Sequence, residues 1–223
     1  MAPRALLAGD PGRALLLAQA LFDGAPLMFN HNRGLWGYSG IALDGEPLIV
    51  QSTGVGGPSA AVVLEELGDL GLRRAVRVGT CSALDGRLAL GELLVVDGAL
   101  AGDGTSRALG AGERVVGDAV LTAALEDEVG RRGLVASTDL HYETRSERAA
   151  AWIGAGALAV DLQTAAILAV AARRGIAAGA VLAAREAMGV TLDAAGLADA
   201  GERLGRAALA ALSATGSQAG APA

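Results

Sequence analysis

The sequence has no lysine, a single cysteine, two histidines and very few aromatic residues, and each shortage narrows the range of functions. All 18 basic residues are arginines, and 24 acidic residues give a formal net charge of −6. A nucleic-acid surface needs clustered cations to neutralise phosphates, and no basic stripe occurs along the chain. We therefore expect no nucleic-acid partner.

Metal sites, disulfides and membrane spans are also disfavoured. One cysteine, Cys81, provides no disulfide framework and no cysteine cluster, and we expect it to be a small buried residue rather than a nucleophile. His31 and His141 are too few for a typical zinc site unless carboxylates complete it. Apolar runs are interrupted before the roughly 18 residues that a membrane helix needs, and no signal peptide is evident before Asp10. We expect no metal, no membrane partner and a cytoplasmic location.

The rest of the sequence predicts an α/β fold in one domain. Apolar runs that resemble buried strands alternate with longer segments of helical period, which favours a largely buried sheet covered by helices. Local signals predict further features: a tight primed turn at Asp44-Gly45, a helix opening at Pro58, a loop over 101–112, a helix ending at Gly133 and a closing helix over 193–213.

Three predicted strand ends carry groups that suit an anion. "GDPGR" (9–13) opens a helix with free backbone N–H groups and an arginine in its first turn. "STGVGG" (52–57) lets the backbone approach a ligand closely, although its glycine spacing is not that of a dinucleotide fingerprint. "RVGT" (77–80) adds an arginine and a hydroxyl. Ligands of such sheets bind beyond the carboxyl ends of the strands, so we expect these groups to meet.

Four motifs in this order, "GDPGRA", "NRGLWGYSG", "STGVGGPSAAVVLEEL" and "RVGTCSAL", closely resemble those of one family. It is the nucleoside phosphorylase family that contains hexameric purine nucleoside phosphorylases, uridine phosphorylases and methylthioadenosine phosphorylases. The resemblance implies a single-domain phosphorylase/hydrolase-like α/β fold with a mixed central sheet flanked by helices. It covers about residues 5–212, and we assign the domain to 1–213. The small, polar composition of the end of the sequence predicts a flexible tail over 214–223. The resemblance also implies dimers that assemble further, commonly into a hexamer.

The resemblance further implies a phosphate site with no metal or organic cofactor and with orthophosphate as co-substrate. Carried over by motif, its members are Gly9, Arg13, Arg77, Thr80 and Arg33, the last expected from a neighbouring subunit. Forked guanidinium donors suit a tetrahedral oxyanion. Related nucleosidases use water and lack most of this arginine cluster, so its presence favours phosphorolysis.

The nucleoside site is implied by the same resemblance, with departures from the family pattern. The family's Glu-Met-Glu motif near the sugar is replaced here by Asp161, Leu162 and Gln163, which follow Val160. Gln163 occupies the position of the glutamate that binds the ribose hydroxyls in the family. Near the base, Glu186 is a candidate general acid if burial raises its pKa, whereas Arg185 resembles an arginine that uridine phosphorylases place near the pyrimidine carbonyl. His141 occupies a position usually held by a phenylalanine that stacks on the base.

These residues leave three hypotheses. The first is a phosphate-dependent nucleoside phosphorylase, with Arg77, Arg185 and Glu186 as catalytic residues and the base unresolved between purine and uracil. A second is an enzyme for a modified nucleoside, or a nucleosidase, in the same fold. A third is a binding protein that has retained the anion site and lost turnover.

Overall fold

The computed structural model describes residues 1–143 and 145–216. Its strands are β1 (Arg4–Ala8), β2 (Leu27–Asn30), β3 (Gly37–Ile41), β4 (Pro47–Ser52), β5 (Arg74–Ala83), β6 (Leu93–Ala101), β7 (Arg114–Val115), β8 (Arg132–Ser137), β9 (Ala157–Asp161), β10 (Ala177–Ala187) and β11 (Val190–Thr191). Its helices are α1 (Pro11–Leu21), α2 (Gly56–Asp69), α3 (Gly104–Ala108), α4 (Ala119–Val129), α5 (Ser146–Gly154), α6 (Thr164–Arg174) and α7 (Ala194–Gly216). None of these helices is both long enough and apolar enough to cross a membrane.

The strands form one mixed sheet, which confirms the predicted fold class. Strand β5 lies at its centre and pairs in parallel with β1 and β10 and antiparallel with β9. Because β10 also pairs with β6, β6 with β8, and β8 with β9, these strands and β5 close into a ring. The sheet continues outward from β5 through β1, β4, β3 and β2.

Helices cover both faces of this sheet, and β1 shows why the strand sequence demands it. Successive side chains of a strand point to opposite faces. Leu6 packs with α1, α4 and α7 on one face, whereas Leu7 packs with α2 and α6 on the other. Both leucines are fully buried. An unbroken apolar strand is therefore stable only between two helical layers.

The hairpin of β3 and β4 forms as predicted, but its turn is different. A type I′ turn needs positive φ at both central residues, and Asp44 does not adopt it whereas Gly45 does, at φ 84°. The Gly45 N–H donates to the Ala42 carbonyl at 2.8 Å, and the Ala42 N–H donates to the Glu46 carbonyl at 2.9 Å. The connection is thus a longer turn that ends on a left-handed glycine. Arg4 fixes it from β1 through a bidentate ion pair with Asp44.

Two helix boundaries differ from those predicted. Helix α2 begins at Gly56, so Pro58 lies within its first turn, where a missing N–H costs no helical bond. Helix α4 ends at Gly130, whose left-handed φ of 73° closes the helix. Gly133 instead lies in β8, where a Cβ would collide with Leu158. The predicted helix end at Gly133 is therefore wrong, because Gly133 is the second residue of the next strand.

Two segments predicted to be irregular are helical. Within the predicted loop 101–112, Asp103 caps α3 by accepting a hydrogen bond from the Ser106 N–H at 2.8 Å. At the other end, α7 continues to Gly216, so residues 214–216 belong to the helix rather than to a tail. The remainder of the predicted tail, 217–223, lies outside the described residues.

Candidate active site

A cavity of about 950 Å³ opens where six strands end. Its walls come from β5, from residues that end or follow β1, β4, β8, β9 and β10, from residues 33–35 before β3, and from the first turns of α1 and α2. The cavity therefore lies beyond the carboxyl ends of the strands, as the sequence predicted. Every predicted site residue except Glu186 lines it: Gly9, Arg13, Arg33, Arg77, Thr80, His141, Val160, Asp161, Leu162, Gln163 and Arg185.

The first wall is the turn from β1 into α1. Asp10 caps the helix, because its Oδ1 accepts a hydrogen bond from the Arg13 backbone N–H at 2.7 Å. This cap fixes the first turn and with it the direction of the Arg13 side chain. The Arg13 guanidinium has no hydrogen bond or ion pair with any residue that the structure describes, so its donors are available to a ligand.

The electrostatic setting of Arg13 shows that other cations are close. Burial lowers the pKa of Arg13, and the positive charges of Arg77 and Arg185 lower it further, whereas Asp10 raises it. Arginine stays protonated in proteins, so the lowered pKa of Arg13 reflects first the cost of burying its charge and then its repulsion from the other two arginines, rather than a neutral side chain. An anion between these guanidinium groups would relieve that repulsion.

Arg77, the central arginine of the cavity, is fixed by hydrogen bonds to other buried side chains. It is 4% exposed, and its Nε and Nη2 donate to Oδ2 of Asp161 at 3.2 and 2.9 Å. Its Nη1 donates to Oε1 of Gln163 at 2.7 Å, and Thr164 Oγ1 also accepts from Nε. A guanidinium has five N–H groups, so one on Nη1 and one on Nη2 remain. Arg77 is thus fixed in place while two donors are left for an anion.

The Asp161 carboxylate is part of the hydrogen-bond network that fixes Arg77. Its Oδ1 accepts from the Ser137 hydroxyl at 2.6 Å, and its Oδ2 accepts from the Thr164 hydroxyl at 2.7 Å besides Arg77. The backbone N–H groups of Gln163 and Thr164 donate to the same carboxylate. A buried carboxylate that is so fully hydrogen-bonded stabilises the start of α6 and orients Arg77. The sequence analysis assigned Asp161 to the nucleoside site. Asp161 does line the cavity, but both of its carboxylate oxygens already accept hydrogen bonds from other groups of the protein.

The end of β5 brings a glycine, a hydroxyl and a thiol together. A Cβ on Gly79 would lie 2.8 Å from Nη2 of Arg77 and 2.9 Å from Cδ2 of Leu182, so only glycine leaves room for the arginine. Thr80 follows and lines the cavity. Cys81 is 4% exposed, and burial raises the pKa of its thiol, an effect that the Asp161 charge increases. The expectation that Cys81 is a small buried residue is confirmed.

Arg33 lies at the cavity of its own chain, and the expectation that a neighbouring subunit presents this arginine stays a prediction. Its backbone is left-handed, at φ 56° and ψ 18°, a conformation that costs a non-glycine residue about 1–2 kcal/mol. Its side chain is exposed and unpaired within the described part of the chain. Strain at an exposed arginine on the rim of a cavity indicates a functional position.

Replacing Arg33 with glycine is therefore expected to raise the free energy of unfolding by about 0.5–1 kcal/mol, because glycine adopts positive φ without strain. The same change removes a cation and should weaken phosphate binding. Urea unfolding and calorimetric titration with phosphate measure the two effects. Arg33→Ala is the matched control, since it loses the charge and keeps the strain. Equal stability of the two variants would contradict this interpretation.

The far wall of the cavity holds the candidate base-binding groups. His141 lies there beside Tyr142, with ring centroids 4.6 Å apart in an edge-to-face arrangement. Tyr142 is 87% exposed and was missed by sequence reasoning, although it directly follows His141 in the same predicted loop. Arg185, at the end of β10, lines the cavity and makes no ion pair among the residues described.

Glu186 does not join this wall. It is exposed, and its Oε2 accepts a hydrogen bond of 3.4 Å from the Ser82 hydroxyl. The neighbouring Arg185 lines the cavity, whereas Glu186 does not. Strand alternation does not decide between the two, because the pairing with β5 shifts register between Ala184 and Glu186. The burial on which a general-acid role for Glu186 depended is not seen, and that role stays a prediction.

The charges that line the cavity favour an anionic ligand. Four arginines and two aspartates line it, a formal charge of +2 in a chain whose net charge is −6. Convergent guanidinium groups and the N-terminus of α1 both favour a dianion. Among the described residues, no three His, Cys, Asp or Glu side chains come together as metal ligands.

Comparison with known proteins agrees with this site. Residues 3–215 match the family described as Phosphorylase superfamily. A guanosine phosphorylase from Halorubrum lacusprofundi is 33% identical over 184 residues, which cover 79% of this chain and 75% of the relative. The uridine phosphorylase of Escherichia coli is 32% identical over 199 residues, 79% of this chain and 77% of the relative. A DeoD-type purine nucleoside phosphorylase from Geobacillus kaustophilus is 32% identical over 191 residues, with coverages of 82% and 80%.

The chain therefore belongs to the phosphorylase superfamily and, within it, to the nucleoside phosphorylase family that its four motifs indicated. The predicted family and the predicted class of enzyme, a pentosyltransferase, are both confirmed.

Proposed function

We propose that this enzyme cleaves the N-glycosidic bond of a nucleoside whose base carries carbonyl groups, transferring the ribosyl group to orthophosphate. The products are the free base and ribose 1-phosphate. The observation that carries the proposal is the group of arginines with unused donors in one cavity, Arg13, Arg33 and Arg77.

Orthophosphate, rather than water, is the acceptor that these arginines suit. Two N–H groups of Arg77 and all those of Arg13 remain free for oxygen acceptors, and Gly9 and Thr80 lie beside them. Charge-assisted hydrogen bonds of this kind contribute about 1.5–3 kcal/mol each. A neutral water molecule gains no comparable electrostatic stabilisation from a cluster of cations. A nucleosidase, which uses water, would therefore not need the arginine cluster.

The base-binding wall supports a leaving group with carbonyl oxygens. Arg185 donates hydrogen bonds and accepts none, so it suits the oxygens of uracil, hypoxanthine or guanine better than the amino group of adenine. The carboxylates of the cavity, Asp10 and Asp161, belong to the arginine-bearing walls. Relatives named guanosine phosphorylase and uridine phosphorylase act on bases of this type.

The reaction then follows from charge placement. Phosphate held by Arg13 and Arg77 attacks the anomeric carbon as the bond to the base nitrogen breaks, and the bonding electrons leave with the base. The phosphate dianion stabilises the positive charge that develops on the ribose, and Arg185 stabilises the negative charge on the departing base until solvent protonates it. The fixed guanidinium of Arg77 lowers the cost of reorganisation during this step.

A direct assay tests the proposal. Uridine, inosine, guanosine and adenosine are incubated with the enzyme, with and without phosphate, and ribose 1-phosphate is measured. We expect phosphate-dependent release of uracil, hypoxanthine or guanine, with adenosine the poorest substrate. Base release in water alone would indicate a nucleosidase. Binding without release would indicate the non-catalytic alternative.

Assembly and location follow from the family rather than from the cavity. We propose dimers that assemble into a hexamer in the cytoplasm. The contribution of Arg33 from a neighbouring subunit to the phosphate site is part of this proposal.

A further inference from the structure

The side chain of Gln163 is hydrogen-bonded at both ends. Its Oε1 accepts from Nη1 of Arg77 at 2.7 Å and from the Thr53 hydroxyl at 3.0 Å. Its Nε2 donates to the carbonyl oxygens of Gly54 at 2.9 Å and Gly56 at 3.2 Å. The residue is 2% exposed. No hydrogen-bonding capacity of this amide is left for a sugar hydroxyl.

Only an amide fits this environment. One end of the side chain faces donors, and the other faces two carbonyl oxygens of the turn between β4 and α2. A glutamate would point its second oxygen at those carbonyls, and the opposite orientation of the amide would point N–H groups at Arg77. The glutamine is therefore matched to its partners in this chain, and its orientation is fixed by them.

From these contacts we propose that Gln163 is a positioning residue. It couples Arg77 to the turn at 53–56 and does not hold the ribose. Asp161, the acid next to it, is equally occupied by Arg77, Thr164 and Ser137. The consequence, which rests on the proposed phosphorolysis, is that the enzyme does not select ribonucleosides over 2′-deoxyribonucleosides through Gln163.

The wild-type enzyme gives the first test. We expect kcat/KM for uridine and 2′-deoxyuridine, and for inosine and 2′-deoxyinosine, to differ by less than about threefold, because no hydrogen bond from Gln163 to the 2′-hydroxyl is lost. A direct contact between Gln163 and that hydroxyl would give a preference of about tenfold or more for the ribonucleoside, which Gln163→Ala would abolish. That result would overturn the proposal.

Variants give the second test. Gln163→Ala is expected to raise the KM for phosphate about tenfold and to leave the ratio of ribo- to deoxyribonucleoside turnover unchanged. Thr164→Val, which removes another partner of Arg77 without lining the cavity, should raise the same KM by about threefold. Gln19→Ala, an exposed glutamine on α1, is the matched control and should change neither. An unchanged phosphate KM in both Gln163→Ala and Thr164→Val would also refute the positioning role.

Calorimetry with inorganic phosphate, without any nucleoside, separates the two proposals. If no nucleoside is cleaved, the proposed function fails, yet phosphate binding still reports on Arg77. Binding that is about tenfold weaker in Gln163→Ala supports the positioning role, and unchanged binding contradicts it. Should Gln163→Ala fail to fold, Thr164→Val and the wild-type substrate ratio decide the question.

Discussion

Replacing Arg77 with methionine is expected to lower the free energy of unfolding by about 3–5 kcal/mol, because the Asp161 carboxylate is left buried without its cation. The side chains of this ion pair are 5% and 1% exposed, so water cannot substitute for the lost partner. Phosphate-dependent turnover should be lost in the same variant. Denaturant unfolding and the ribose 1-phosphate assay measure the two losses.

Arg206→Met is the matched control for stability. Arg206 pairs with Glu202 one helical turn away, with 70% and 53% of the two side chains exposed. Exposed pairs of this kind contribute less than about 1 kcal/mol. If Arg77→Met cost no more than Arg206→Met, the network around Asp161 would not hold the site together as described.

Replacing Arg13 with methionine is expected to separate binding from stability. Arg13 has no polar side-chain partner among the described residues, and its charge is partly buried near those of Arg77 and Arg185, so the free energy of unfolding should stay the same or rise. Loss of a charge-assisted hydrogen bond to phosphate should raise the KM for phosphate about 10- to 100-fold. Steady-state kinetics with phosphate as the varied substrate, together with urea unfolding, provide the two measurements.

Arg173→Met is the control for this variant, because Arg173 is an exposed cation at the end of α6 away from the cavity. Its loss should leave the phosphate KM unchanged. A similar rise in both variants would mean that overall charge, rather than the position of Arg13, governs phosphate affinity.

The phosphate end of the cavity could be predicted because its residues lie in short contiguous motifs. Gly9, Asp10 and Arg13 are joined by one helix start, and the cap that orients Arg13 is a local bond between residues three positions apart. Local chemistry of this kind depends little on the rest of the fold. The buried strands were predictable for a similar reason, since continuous apolar runs are stable only in a covered sheet.

The role of Gln163 could not be predicted, because its partners are distant in the chain. Arg77 lies 86 positions away and Gly54 lies 109 positions away. The resemblance placed a sugar-binding group at 163, whereas tertiary contacts occupy both ends of the amide. Only the packed sheet, which brings the ends of β4, β5 and β9 together, reveals this.

The pair Arg185-Glu186 is a different case, because strand geometry gives no reliable signal there. In a regular strand, one residue of the pair would face the cavity and the other would face away. The sequence could not say which, and a register shift between Ala184 and Glu186 in the pairing with β5 makes simple alternation unreliable there. The end of α4 and the whole of α3 were missed, although Gly130 and Asp103 are local signals, a left-handed C-cap glycine and an N-cap aspartate.

The most direct test of the account is a crystal structure of the enzyme grown with selenate, a tetrahedral dianion that mimics phosphate and gives an anomalous signal. The account predicts one selenium peak inside the cavity, with oxygens in hydrogen-bond contact with the guanidinium groups of Arg13 and Arg77. Arg77 should keep its bonds to Asp161 and Gln163. A cavity without selenium, with those two guanidinium groups turned away from each other, would contradict the account.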